Sequence, residues 1–293
     1  MFNAIILGAG MGTRMKSEVS KVMHKIAGVS MFEVVYKTAL NFAPNSCTVV
    51  ASIENKEEIE SITQSPAVVQ EERLGTGHAV LTAIPSLKSE EKTFILYADT
   101  PLILSETLQK MTEVQMAEII VLGFYGKEGE KYGRLIHKQE EVLDIVEYKD
   151  ATEEQKKINL YNSGIFLIKT DVLKKLVPKI ENKNNAKEFY LTDIVKIASS
   201  FGLKTKFILT ESSEILGVNN REELSIAERI FQERLRRKHM ENGVTLVHPD
   251  SVFFGLDTEI ENDVVIEPNV VFGSQVKIKK NCTIKSFSYI EGA

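Results

Sequence analysis

The sequence has no surplus of basic charge, no long apolar run and almost no cysteine. Lysine and arginine number 36 against 41 aspartates and glutamates, a net charge of -5. Nucleic-acid binders carry the opposite balance, so that class is excluded and no nucleic-acid partner is expected. No window holds the roughly 18 apolar residues of a membrane span, so no membrane partner is expected either. The chain runs from its start into a strand pattern, FNAIIL, without a basic segment or cleavage site, so no secretory signal is expected. Cys47 and Cys282 stand far apart, and no Cys/His spacing resembles a zinc site. A reducing, cytoplasmic setting is the expectation. His24, His78 and His137 have no serine or cysteine partner identifiable from sequence, so a nucleophilic triad has no support.

What is there is an ordinary globular composition, 43% hydrophobic and 26% charged over 293 residues. That length suits one large domain or two modest ones. Short, nearly all-apolar runs (AIIL, CTVVA, AVVQ, TFILYAD, AEIIVLGF) suit strands covered on both faces. Helical patterns lie between them, at Met31 to Asn41 and His78 to Ala83. This alternation predicts an open α/β sheet, on which ligands sit at the carboxyl ends of the strands. From Arg221 to Met240, Leu224, Ala227, Ile230, Phe231 and Leu235 recur at helical spacing. Either Asn219 or Asn220 can cap that helix, and Gly243 follows it. The basic cluster Arg234 to Lys238 reads as a solvated face near the helix end. Beyond it Ile260, Ile266, Phe272, Ile278, Ile284 and Ile290 repeat every sixth residue, with Val247 and Phe253 leading in. This is the hexapeptide pattern of a parallel β-helix. The expected domains are 1–220, a linker helix 221–242 and a short β-helix 243–293.

The stretch LGAGMGTRMKSEVSK carries the chemistry. Gly8, Gly10 and Gly12 follow the first strand. A dinucleotide fingerprint would need its third glycine where Thr13 stands, and no Walker lysine follows. Bare backbone still makes an anion nest, and Arg14, Lys16 and Lys21 add full charges. The glycines alone would equally suit a tight strand-to-helix turn. Asp99, at the end of TFILYAD, is a hard oxygen ligand of the kind Mg²⁺ prefers.

LGAGMGTRM followed by SKVMHKIAG resembles the signature of sugar-nucleotide pyrophosphorylases. More narrowly, it is similar to the bacterial N-acetylglucosamine-1-phosphate uridyltransferase family. That family joins a pyrophosphorylase domain to a left-handed β-helix acetyltransferase domain. QEERLGTGHAV, LYADTPLI, YGRLI, IVEYKDAT, YNSGIF, YLTDIV and GVNNR continue the resemblance in the family's order, across essentially the whole chain. It implies a Rossmann-like, mixed but mainly parallel sheet, then a linker helix and a short left-handed β-helix. It implies UTP and N-acetylglucosamine 1-phosphate as substrates and Mg²⁺ as cofactor. Asn219 joins Asp99 as metal ligand, in preference to Asn220. Arg14 and Lys21 are the catalytic cations. The main chain at Leu7, Gly8, Ala9 and Gly10 lines the nucleotide, and Gln70, Gly75 and Thr76 meet the base. Tyr97, Ala98, Asp99, Gly133, Glu147, Asn162, Thr192 and Asn219 surround the sugar phosphate. Two positions depart from the family: Ser20 replaces a proline, and Ala98 replaces a glycine, where its methyl is expected to narrow the pocket. The hexapeptides stop at Ile290, so a truncated β-helix without acetyltransferase activity and a weak homotrimer are expected. The alternatives are a nucleotidyltransferase for another sugar 1-phosphate and a non-catalytic nucleotide-sugar binding protein.

Overall fold

Strands in the first two-thirds of the chain are laid down from the short apolar runs and assemble into one nine-stranded sheet. The computed structural model describes residues 2–43, 45–127 and 129–293. The strands in chain order are β1 (Phe2–Leu7), the hairpin strands β2 (Lys25–Ile26) and β3 (Val29–Ser30), β4 (Cys47–Ala51), β5 (Val68–Val69), β6 (Lys92–Tyr97), β7 (Ile119–Tyr125), β8 (Arg134–Lys138), β9 (Glu141–Val146), β10 (Leu160–Lys169) and β11 (Thr205–Leu209). The sheet order is β5-β4-β1-β6-β10-β7-β11-β9-β8. Strands β5, β4, β1 and β6 are parallel, and β10 runs antiparallel between β6 and β7. The mixed, mainly parallel sheet expected from the sequence is the one observed.

From β1 the chain moves outward to β4 and β5, then returns to place β6 on the other side of β1. That reversal opens a crevice at the carboxyl ends of β1 and β6. The helices α1 (Met31–Leu40), α2 (Lys56–Thr63), α3 (Thr76–Ala83), α4 (Ser105–Glu113), α5 (Glu153–Lys156), α6 (Thr170–Leu176) and α7 (Asp193–Ser200) connect the strands. Alternate residues of the central strands feed opposite core layers, Ile5 and Ile95 on one face, Ile6 and Leu96 on the other. Among the described residues no helix is long and apolar enough to cross a membrane.

Helix α8 (Arg221–Glu241) is capped by Asn220, whose side chain accepts from the Glu223 N–H. That leaves Asn219 free for other work. Leu224, Ala227, Ile230, Phe231 and Leu235 face a third core shared with the β2–β3 hairpin and the C-terminal strands. The basic cluster corrects the expectation of a solvated face. Arg236 is buried, and Arg234 donates to the Leu102 carbonyl at 2.6 Å. Their aliphatic stems cover apolar surface while the guanidinium groups find carbonyl acceptors.

The C-terminal strands are β12 (Thr245–Leu246), β13 (Val252–Phe253), β14 (Glu259–Ile260), β15 (Val265–Ile266), β16 (Val270–Phe272), β17 (Lys277–Ile278), β18 (Thr283–Ile284) and β19 (Tyr289–Ile290). They stack in parallel as β12-β15-β18, β13-β16-β19 and β14-β17, a short parallel β-helix. Val247 and Phe253 do not lead into its core, as the repeat suggested. Both point outward, and the in-phase residue is Phe254, stacked on Phe272 at 5.2 Å. A slip of one residue moves a strand side chain to the opposite face. The corners recur at Asp263, Asn269, Gln275, Asn281 and Phe287, all with φ near +60°. Asn and Asp tolerate that left-handed conformation, whereas a bulky side chain is strained there.

Two predictions come from this region. Phe287, 82% exposed and at φ 62°, gains nothing from burial, so Phe287→Asn should stabilise the chain by about 1 kcal/mol. A urea midpoint that falls would contradict this. His239 is buried against Phe254 with its Nδ1 unpaired. Burial, with Lys238 adding to it, pushes its pKa down from 6.5 to about 4. Between those values the unfolded chain binds the extra proton, so stability is full above about 6.5 and falls as pH drops toward about 4. Urea titrations across that window should show a smaller loss in His239→Leu; an identical slope would refute the assignment.

Candidate active site

The loop after β1 is shaped by what its glycines lack. Gly12 sits at φ 62°, and a Cβ there would lie 2.3 Å from the Lys21 Cβ. Only a bare residue lets the segment carrying Lys21 fold back across the loop. Gly10 has nothing within 4 Å of where its Cβ would be, which leaves the loop open on that side. Asn55, fully buried, donates to the Gly8 carbonyl at 2.9 Å and to the Ser20 hydroxyl at 3.1 Å. Arg73 donates to the Ala9 carbonyl at 3.0 Å while its guanidinium pairs with Glu54 at 2.7 Å. The hydrogen bonds of Glu54 to Ser52, to its own backbone and to Arg73 hold its carboxyl at about 2.

Lys21 crosses the carboxyl ends of β1 and β6. Its ammonium is in contact with Asp99 Oδ2 and donates to Asn219 Oδ1 at 3.2 Å. The Lys21 and Asp99 side chains are only 11% and 19% exposed. Val218 N–H binds the Asp99 carbonyl at 2.8 Å, which brings the 217–219 loop to the end of β6. Asn219 donates through Nδ2 to the Gly217 carbonyl at 3.1 Å, so Oδ1 is the atom turned to Lys21. A carboxylate and an amide oxygen thus converge on one cation, here an ammonium. This is a hard-oxygen donor pair, and it fits Mg²⁺, which takes one or two protein oxygens and fills its shell with water and phosphate. Among the described residues no three His, Cys, Asp or Glu side chains form a cage of their own.

A cavity of about 250 Å³ opens beside this pair. Leu7, Gly8, Ala9 and Gly10 form one wall, and Gln70, Gly75 and Thr76 another. Lys21, Tyr97 and Asp99 lie between them, joined by Arg73 and Glu188. Gly75 adopts φ 111° and packs directly on the Phe189 backbone, where a Cβ would meet the carbonyl oxygen at 2.6 Å.

A second group of predicted residues gathers next to Tyr97. Thr192 donates to Glu147 Oε1 at 3.1 Å. A Cβ on Gly133 would lie 3.2 Å from the same carboxylate, and the Gly133 carbonyl accepts from Asn162 N–H at 2.8 Å. The Tyr97 ring lies over Gly164, whose missing side chain makes room for it. Burial, then the Glu147 and Asp99 carboxylates, push the Tyr97 hydroxyl above its ordinary range. Burial also raises Glu147, with Asp193 and Asp150 adding to it against the Thr192 hydrogen bond.

Two predicted residues stand apart. Ala98 is wholly buried in the core beneath Gly8 and lines no part of the cavity. Its methyl packs among the core side chains in the turn after β6, so it does not narrow the pocket. Arg14 is exposed, and no hydrogen bond or ion pair holds it among the described residues. Sequence reasoning missed Arg73 and Asn55. Arg73 lies two residues before the glycine turn, a signal that was available; Asn55 had none.

Residues 4–157 match the MobA-like NTP transferase domain, and residues 257–292 match the six-repeat bacterial transferase hexapeptide. The chain is 42% identical over 293 residues to the bifunctional protein GlmU of Paramagnetospirillum magneticum, covering 98% of this chain and 65% of that protein. It is 39% identical over 303 residues to the bifunctional protein GlmU of Zymomonas mobilis, covering 100% and 67%. The chain therefore spans about two thirds of the length of these relatives. Among solved structures, the inositol-1-phosphate CTP transferase from T. maritima superposes with a TM-score of 0.60 at 15% identity, covering 77% of this chain and 93% of that one. A putative glucose-1-phosphate thymidylyltransferase from Bacillus anthracis gives 0.61 at 15% identity, covering 78% and 95%. At such identity these two share the fold alone. Matched over more than half its length by one domain model and along its whole length by curated relatives, the chain belongs to the MobA-like NTP transferases and, among them, to the GlmU family.

Proposed function

We propose that the chain is a UTP:N-acetylglucosamine-1-phosphate uridylyltransferase acting in the cytoplasm. The observation that carries this reading is the Lys21–Asp99–Asn219 contact at the mouth of a glycine-walled cavity. Nucleotidyl transfer is catalysed by positioning and charge neutralisation, and this site supplies both. The loop backbone from Leu7 to Gly10 lies along the nucleotide, with Gln70, Gly75 and Thr76 at the base. Tyr97, Gly133, Glu147, Asn162 and Thr192 orient the sugar phosphate. A phosphate oxygen of the sugar 1-phosphate attacks the α-phosphorus in line. The new P–O bond forms as the bond to the β-phosphate oxygen breaks, and pyrophosphate leaves with its electron pair. Lys21 meets the charge that grows in that step, and unpaired Arg14 is available to the departing pyrophosphate. Mg²⁺ held by Asp99 and Asn219 would neutralise phosphate charge. The outward ladder of Phe253, Val271 and Tyr289 on the β-helix supports a weak homotrimer.

Pyrophosphate release with UTP, Mg²⁺ and N-acetylglucosamine 1-phosphate tests the reading, with other sugar phosphates as comparison. Lys21→Ala should lower kcat by about 10²- to 10³-fold, more than it raises KM. Asp99→Ala should abolish turnover without unfolding the chain. Normal turnover in a folded Asp99→Ala protein would remove Asp99 from the chemistry.

The Ser20 departure gives a further test. Ser20 has φ -54°, within proline's range, and its hydroxyl is tethered by Asn55. A hydrogen bond therefore does here what a ring does at the corresponding position of the family. Asn55→Ala should cost about tenfold in kcat/KM, since one buried hydrogen-bonding group contributes about 1–3 kcal/mol. Adding Ser20→Pro should recover part of that loss. No recovery, in a double variant as stable as the single one, would show that the tether is not what positions Lys21.

A further inference from the structure

One amide facing the cavity has its sense dictated by the protein. Gln70 follows β5, is 6% exposed, and lines the cavity. Its side-chain nitrogen lies 3.2 Å from the Gly75 carbonyl oxygen and 3.1 Å from Nδ1 of His78. A carbonyl oxygen can only accept, so the NH₂ of the amide, not its oxygen, must face Gly75. Both amide hydrogens are then committed, one to Gly75 and one to His78. Nδ1 of His78 is consequently the bare nitrogen of the ring, and its proton sits on Nε2. Oε1 of Gln70 takes neither bond, which leaves an acceptor on a nearly buried amide in the cavity wall.

The anchors are themselves held in place. The Phe189 N–H binds the Leu74 carbonyl and its carbonyl accepts from Gly77, both at 2.7 Å, on either side of the glycine turn. The Phe189 ring lies 6.4 Å from the imidazole of His78. His78 occupies the first turn of α3, so its position follows from the same turn that places the Gly75 carbonyl.

We propose that His78 is a positioning residue: by holding Gln70 in this sense it makes the cavity select a base with an N–H donor at N3, such as uracil or thymine, over cytosine. This rests on the nucleotidyl-transfer reading above. Cytosine carries a lone pair at N3, so against Oε1 it sets two acceptors face to face in a site shielded from water. Such a mismatch lowers affinity by about tenfold or more. With Gly75 alone as anchor, one N–H suffices to satisfy the carbonyl, and the amide is free to tilt.

The test compares kcat/KM for UTP and CTP in the full chain and in His78→Leu and His78→Asn, by pyrophosphate release. Asn offers an amide oxygen in place of Nδ1. The UTP:CTP ratio should narrow by about tenfold in His78→Leu, through KM rather than kcat, and recover most of that in His78→Asn. An unchanged ratio in folded His78→Leu overturns the proposal. Titration calorimetry with UTP and CTP on the same proteins separates this from the enzymatic reading. A wild-type chain that binds UTP over CTP in a His78-dependent way but releases no pyrophosphate keeps the selection and sinks the enzyme. A wild-type chain that binds both equally, or neither, overturns the proposal whatever the reaction.

Discussion

The Lys21 ammonium, enclosed by Asp99 and Asn219, is the contact around which the active face of this protein is built. The three residues come from the glycine loop, the end of β6 and the approach to α8. The lysine and the carboxylate are both largely withdrawn from water, and removing one partner of such a pair would strand the other's charge. Much of the surrounding sequence serves to deliver these atoms to one point. Gly12 surrenders a side chain so that Lys21 can cross, Asn55 ties the loop on both sides of it, and Val218 is bonded to the Asp99 backbone.

The same contact explains why the C-terminal quarter is not a passive appendage. Helix α8 begins one residue after Asn220 and runs beneath the segment that carries Lys21. Arg221 bonds the Met15 carbonyl at 3.4 Å and lies 3.2 Å from His24. Glu228 accepts the Ala27 N–H at 2.9 Å, and Leu256 of the β-helix donates to the Ala27 carbonyl at 2.9 Å. The hairpin after Lys21 is thereby clamped between the helix and the first coil. Gln232 completes the joint, with both ends of its amide bonded to the Phe254 backbone at 2.8 Å. A buried polar side chain with every group paired fixes one docking geometry in a way that apolar packing alone does not.

Glu147 and Tyr97 give their side of the site a different electrostatic character. Burial favours their neutral forms, and the neighbouring carboxylates reinforce it. The two groups of residues meet at Tyr97, which feels both Glu147 and Asp99.

The sequence by itself determined the strand runs, the reach of α8 and the glycine loop, because each depends on local periodicity or on backbone freedom at a few adjacent residues. It also marked Lys21, Asp99, Gly75 and Gln70 through motifs whose residues lie close together in the chain. Tertiary structure decided the rest. Whether Asn219 or Asn220 caps α8 turns on one residue of register: in the fold Asn220 is the cap, and Asn219 turns its Oδ1 to the Lys21 ammonium. The outward facing of Phe253 likewise depends on strand phase, which composition does not encode when both neighbours are apolar, and the burial of Ala98 depends on how the turn after β6 packs on the core. Arg236 reads as a solvated cation and is buried, because its carbonyl partner lies across a domain contact. Asn55 and Arg73 act on the loop from 47 and 64 residues away, and only the folded sheet brings them to the carbonyls they hold.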